Sequence, residues 1–298
     1  MKLGIGTTQF GLDYGITNKQ GQTQVEEVSK IFKTAELNCI EVIDTAHLYG
    51  NSEAIIGSVL SKDNKFKIIT KTITFNKEEI TLEDVNLFEK TFISSLEKLQ
   101  TNSIYGLMLH RQQDLFSQNG DLLFKKLIEL KNCNKVNKIG VSVYNSEEIT
   151  QIINNFDIDI IQIPFNIFDQ RLKNDETLKK LKSKNIEVHA RSIFLQGVIL
   201  MQSELVNKTF NDSQFDLHFS KFQAFLQDKN INAQDLAINF VKNIEEIDHF
   251  VLGLNNEEQL SSNINSYNQN IDIDLDELKI FHYNDINIID PRKWTSKK

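Results

Sequence analysis

Four residues of this chain stand where chemistry could be done: Asp44, Tyr49, Lys71 and His110. Asp44 ends the run Cys39-Ile40-Glu41-Val42-Ile43, Lys71 follows Ile68-Ile69-Thr70, and His110 follows Leu107-Met108-Leu109. Short runs of this apolar, β-branched kind read as strands covered on both faces. Burying three ionisable groups at their ends is unfavourable unless the groups pair with one another or with a ligand. Tyr49 lies on the loop just beyond Asp44, before Gly50-Asn51-Ser52 break the chain and offer a helix N-cap. A phenol, with pKa about 10, is neutral at pH 7 and can give a proton, but it is a slow acid until its phenolate is stabilised. An ammonium about 4 Å away, at an effective dielectric near 20, contributes on the order of 4 kcal/mol, enough to lower that pKa by up to a few units. Asp44 then keeps Lys71 charged and aimed, and His110 orients a carbonyl oxygen or shares the proton. Such a set protonates an oxygen while hydride reaches the carbon. The hydride has to come from a cofactor, since no side chain supplies one.

The elements that must position these residues alternate. Strand-like runs at 3–7, 39–44, 66–71, 104–109, 138–143, 158–164, 186–191 and 249–252 are each followed by an amphipathic helical run. The first helix starts with a capping box at Thr23 and Glu26, and the stripes Phe88, Phe92, Leu96 and Phe219, Phe222, Phe225-Leu226 face the barrel from later helices. About eight repeats of this alternation predict a (β/α)8 TIM barrel. An open doubly wound sheet is the competitor, but Gly4-Ile5-Gly6-Thr7-Thr8-Gln9 lacks the third glycine of a dinucleotide-binding turn. The expected organisation is one domain over 1–298, with the barrel at about 3–265 and an additional C-terminal helix (275–285) and tail in 266–298.

Composition narrows the class further. The 298 residues are 40% hydrophobic and 25% charged, with 12 Gly and 2 Pro, as for an ordinary globular protein without long linkers. A net charge of -8 with no basic block outside the last few residues argues against a nucleic-acid partner and for a small molecule. No run reaches the length of a membrane span, and a cytoplasmic protein is expected. Cys39 reads as a core residue at a strand start and Cys133 as a surface thiol; no spacing predicts a metal site. Lys297-Lys298 reads as a charged end.

In a barrel the active groups come from the carboxyl ends of the strands. Beyond Asp44, Lys71 and His110, those ends carry Ser142, Gln162 and Arg191-Ser192. Taken in order, Ile43-Asp44-Thr45-Ala46-His47-Leu48-Tyr49-Gly50, Ile69-Thr70-Lys71-Thr72, Leu107-Met108-Leu109-His110-Arg111, Lys138-Ile139-Gly140-Val141-Ser142 and Ile161-Gln162-Ile163-Pro164-Phe165-Asn166 resemble the aldo-keto reductase family, from Gly4 to about Asn263. The resemblance implies that Tyr49 is the general acid, that Lys71 and Asp44 tune it and that His110 orients the substrate. It implies a nicotinamide cofactor, NADP or NAD, across the barrel mouth, with Ser142 and Gln162 at its carboxamide and Ser192 and the backbone after it at its pyrophosphate. Thr7, Arg191, Gly253, Gln259 and Asn263 complete the expected cofactor contacts. The sequence departs from the family pattern at Arg191, where many members place an aromatic ring against the nicotinamide, and at Val143, where an asparagine is common. It departs again at Gly253 and Gln259, where members that select NADPH offer a lysine and an arginine, which leaves NADH open. The run Arg191-Ser192-Ile193-Phe194-Leu195-Gln196-Gly197 is similar to a bacterial subgroup associated with surface-polysaccharide biosynthesis, which implies a sugar or sugar-nucleotide carbonyl.

The expected function is reduction of an aldehyde or ketone, or the reverse alcohol oxidation. Two alternatives stand beside it: a cofactor-binding regulatory or scaffold protein with little catalysis, and a lyase or isomerase using Lys71 as base or imine former. The loops at 111–119 and 196–214 and the tail are the expected specificity elements. Nothing in the sequence specifies an oligomeric state.

Overall fold

The computed structural model describes residues 1–272 and 274–294; Lys297-Lys298 lie outside them. Eight parallel strands close into a barrel in sequence order: β1 (Leu3–Gly6), β2 (Val42–Asp44), β3 (Lys67–Lys71), β4 (Ile104–Leu109), β5 (Val136–Ser142), β6 (Ile160–Pro164), β7 (Glu187–Arg191) and β8 (His249–Gly253). Pairing of β1 with both β2 and β8 closes the ring. The (β/α)8 expectation holds.

Side chains along a strand alternate between its two faces, and here the alternation sorts the core into two parts. Val42, Ile69, Met108, Ile160 and Val251 form a small cluster of their own inside the barrel. A larger cluster joins the outward faces of the strands to the helices, including Phe88, Phe92, Leu96, Phe219, Phe222 and Leu226 from the predicted stripes. Val42 lies two residues before Asp44, Ile69 two before Lys71, Met108 two before His110 and Ile160 two before Gln162. The interior apolar layer is therefore the floor on which the polar mouth residues stand.

Four local expectations are corrected. The helix Val25–Leu37 has Gln24 as N-cap with no side-chain cap, so the Thr23–Glu26 box does not form. Thr23 instead donates its hydroxyl to the Leu254 carbonyl. Cys39 is exposed at φ 55, because the chain leaving the helix needs a left-handed residue to turn into β2, which starts only at Val42. The single helix expected at 275–285 is replaced by short turns, Glu277–Phe281, Ile286–Ile289 and Pro291–Lys293. Tertiary hydrogen bonds win there: Tyr283 N donates to the Phe168 carbonyl and the Asp285 carboxylate caps the next turn. The loop expected at 196–214 holds a 3-10 segment, Leu195–Leu200, and a helix, Ser203–Phe210. The tail packs beside the mouth, with Trp294 against Phe210 at 5.2 Å between ring centroids.

Candidate active site

The carboxyl ends of the strands open into a cavity of about 820 Å³. Asp44, Tyr49, Lys71 and His110 all line it, with Ser142, Gln162, Arg191, Ser192, Gly253, Gln259 and Asn263. Thr7 is the one expected site residue that does not. It is buried behind the wall, where its hydroxyl donates to the Asp44 carbonyl and accepts from Ser52 Oγ.

Lys71 is fully buried, and its ammonium has three acceptors: Asp44 Oδ1 and Oδ2, both at 2.7 Å, and the Thr45 carbonyl at 3.1 Å. Burial alone pushes the Lys71 pKa down; the Asp44 carboxylate, then Tyr49, outweigh that and hold it above the ordinary lysine value. The ammonium thus stays charged in the wall. With its donors occupied, Lys71 reaches Tyr49 through space, its Nζ lying 5.2 Å from the centre of the phenol ring. His110 meets the same ring edge-on, at 5.9 Å between centroids and an interplanar angle of 85°. Burial, followed by the Lys71 charge, lowers the His110 pKa to about 4. His110 is therefore neutral at pH 7, and its buried Nδ1 has no partner among the described residues.

Tyr49 owes its position to two glycines. A Cβ on Gly11 would stand 1.8 Å from the Tyr49 carbonyl oxygen, so only glycine lets the β1 loop lie directly on the Tyr49 turn. Gly50, next along, adopts φ 56 and faces the Gly11 carbonyl in the same contact. His47 is not among the residues that line the cavity; its Nδ1 lies 3.3 Å from Ser95 Oγ and 3.8 Å from Glu53.

Gln162 has a role the sequence does not announce. Its Nε2 donates to Asp44 Oδ1 at 2.7 Å, steadying the carboxylate that holds Lys71, while its Oε1 is buried and unpartnered among the described residues. Arg191 stacks over Tyr144 at 4.2 Å and donates to the Val143 carbonyl at 3.3 Å; Arg292 of the tail also lies over Tyr144, at 3.2 Å. Tyr144 and Tyr14 both line the cavity and were not singled out from sequence. Tyr144 stands two residues beyond the end of β5, the kind of position that marks Tyr49, whereas Tyr14 follows the short helix Thr8–Gly11 after β1. Burial, then the nearby Tyr49, raises the Tyr14 pKa. Ser192, Leu195, Gln196 and Gly197 all have positive φ, so the segment after β7 is a tightly coiled loop, braced by Asn166 donating to the Ser192 carbonyl at 3.1 Å. At the far end, Gln259 folds back to accept from Asn255 N at 2.8 Å, and Asn256 caps the helix Glu257–Asn268.

A closed barrel with Asp44, Lys71 and His110 gathered in a cavity at the strands' carboxyl ends has the architecture of a (β/α)8 enzyme. Its family is equally definite: the model of the Aldo/keto reductase family matches residues 2–279, and the chain belongs to that family of NAD(P)-dependent oxidoreductases. The D-arabinose 1-dehydrogenase of Saccharomyces cerevisiae is 25% identical over 282 residues, covering 84% of this chain and 83% of the yeast protein. The NADH-specific methylglyoxal reductase of Escherichia coli is 28% identical over 178 residues, 54% of each chain. The fold is similar to that of an aldo-keto reductase from Bacillus halodurans in its holo form, with a TM-score of 0.74 and 17% identity over 94% of this chain and 90% of that one. No helix among the described residues is long and apolar enough to cross a membrane.

Proposed function

We propose that this chain reduces the carbonyl of a sugar or other small polar aldehyde or ketone, using NADH, with Tyr49 as the proton donor. The observation that carries the reading is the setting of Tyr49, held between a buried, charged Lys71–Asp44 pair and a neutral His110 on the wall of one cavity. A reduced nicotinamide supplies hydride when bound. The chain's own part is the proton: Tyr49 gives its hydroxyl proton to the carbonyl oxygen, the Lys71 ammonium stabilises the phenolate left behind, and solvent restores the proton. His110, neutral, hydrogen-bonds the carbonyl oxygen and fixes its direction. Lys71 as an imine former would need a neutral amine, and its raised pKa disfavours that.

The mouth offers groups that fit a nicotinamide dinucleotide. The unpartnered Gln162 Oε1 suits the N–H of a carboxamide, and Ser142 beside it can serve the carboxamide oxygen. Preference for NADH rests on charge. Lys71 and Arg191 are the only lysine and arginine among the described lining residues, and both belong to the catalytic side. The β8 loop presents Asn255, Asn256, Glu258 and Gln259, with a carboxylate that repels a 2′-phosphate. The substrate class is supported by the polar lining at Gln9, Asn18 and Gln196 and by the yeast relative's action on arabinose.

Calorimetric titration with NADH and with NADPH, followed by a panel of aldoses, 2-oxoaldehydes and simple ketones, tests the reading. Micromolar NADH binding, weaker NADPH binding and turnover of at least one sugar are expected. Absence of binding by either nucleotide would overturn it.

A further inference from the structure

The end of the barrel opposite the cavity carries a second polar cluster that the proposed reaction does not use. Alternation along β3, β5, β7 and β8 sets Lys67, Lys138, Glu187, His189 and His249 two or four residues before the mouth positions, on the other side of the apolar layer. Glu187 is its hub. Oε2 accepts from the Tyr105 hydroxyl at 2.8 Å and from the Lys138 ammonium, and Oε1 lies 2.7 Å from His189 Nε2. A carboxylate only accepts, so Nε2 of His189 carries a proton and donates it to Glu187, and in the tautomer with that single proton Nδ1 presents a lone pair. His189 is fully buried, and this Nδ1 has no partner among the described residues. The same is true of Nδ1 of His249, whose ring centroid is 4.9 Å from that of His189. One ligand-type atom from each of Glu187, His189 and His249 falls within 4.8 Å of the other two. A layer that served only to plug the barrel would be expected to match its buried acceptors with donors; this one satisfies Glu187 and leaves Nδ1 of both imidazoles without a partner among the described residues, on rings whose centroids are 4.9 Å apart.

We propose that this end of the barrel is a transition-metal site for an ion of the Zn²⁺ class, with His189 and His249 as nitrogen ligands and Glu187 as the carboxylate that fixes the His189 tautomer. The carboxylate–histidine pair is the arrangement that raises the basicity of a ligating imidazole. Mg²⁺ and Ca²⁺ select oxygen ligands, whereas two imidazole nitrogens suit an ion of the Zn²⁺ class. Glu187 and His249 are only half-buried, which gives the ion a route in from the outer end of the barrel.

The test is calorimetric titration of the chelator-treated full chain with Zn²⁺ alone, repeated with Co²⁺ and read by its visible absorption. One equivalent should bind with micromolar or tighter affinity. His249→Ala and His189→Asn should each weaken binding at least tenfold, and Glu187→Gln by roughly ten- to a hundredfold. Circular dichroism should show the variants folded, and NADH binding at the mouth should be unchanged in His249→Ala. Absence of stoichiometric Zn²⁺ binding, or equal affinity in folded His249→Ala, would overturn the proposal.

Discussion

The two ends of this barrel are built from the same strands and each holds a lysine–carboxylate pair, yet the two pairs are enclosed differently. At the mouth Lys71 and Asp44 have side-chain exposures of 1% and 5%; at the base Lys138 and Glu187 have 29% and 11%. The difference lies in the connections. At the base, Cys39, Gln100, Asn134 and Asn185, all with positive φ, turn the chain from a helix to the next strand within a few residues. At the mouth, the longer segments after β1 and β7 carry Tyr14 and Ser192 to Gly197 up around the strand ends, joined by Asn255 and Asn256 of the short turn after β8 and by Glu258 and Gln259 at the start of the helix that follows it. A lysine–carboxylate pair is common to both ends, and enclosure by loops is what separates the reaction site from the more exposed pair at the base.

Removing one charge at each end should break this symmetry by different amounts. Asp44→Ala strands a fully buried Lys71 ammonium and should cost about 3–5 kcal/mol of stability, measured by denaturant unfolding. Glu187→Gln keeps the acceptors' shape, loses the charge and should cost about 1–3 kcal/mol, with steady-state reduction unchanged because the base takes no part in it. Equal losses at the two ends would mean that exposure does not govern them.

Acid should act on the mouth through His110. Its folded pKa of about 4 lies below the ordinary histidine value, so the unfolded chain binds more protons between the two. Stability is therefore greatest above about pH 6.5 and falls as pH drops toward 4, by up to about 2–3 kcal/mol from this group after allowing for its partial exposure. His110→Gln should flatten that part of the stability profile. The smallest effect is expected at the rim: Glu258→Lys should shift the NADH to NADPH affinity ratio toward NADPH by roughly tenfold, about 1.4 kcal/mol, without altering the turnover of bound complex.

Much of the mouth was legible in the sequence, because strand alternation is a local property: once 42–44 and 67–71 are strands, Val42 and Asp44, Ile69 and Lys71 must share a face. What escaped depends on contacts distant in sequence. Gln162 steadies Asp44 across 118 positions, and nothing near Gln162 announces it. Thr23 forms a good local capping pattern with Glu26, but the neighbouring Leu254 carbonyl draws its hydroxyl away. The segment 275–285 has enough helix-forming residues to look continuous, and hydrogen bonds to Phe168 break it into turns. Thr7 sits at a strand end like the other mouth residues but faces Ser52 rather than the cavity.

The most direct test of the account is single-turnover reduction by Tyr49→Phe with NADH already bound. Removing the hydroxyl leaves the ring, the Lys71–Asp44 pair and the cavity in place, so NADH affinity should stay within a few-fold of wild type while the reduction rate falls by roughly a hundredfold or more. A rate within a few-fold of wild type would contradict the assignment of Tyr49 as the proton donor and return the question to the other groups of the mouth.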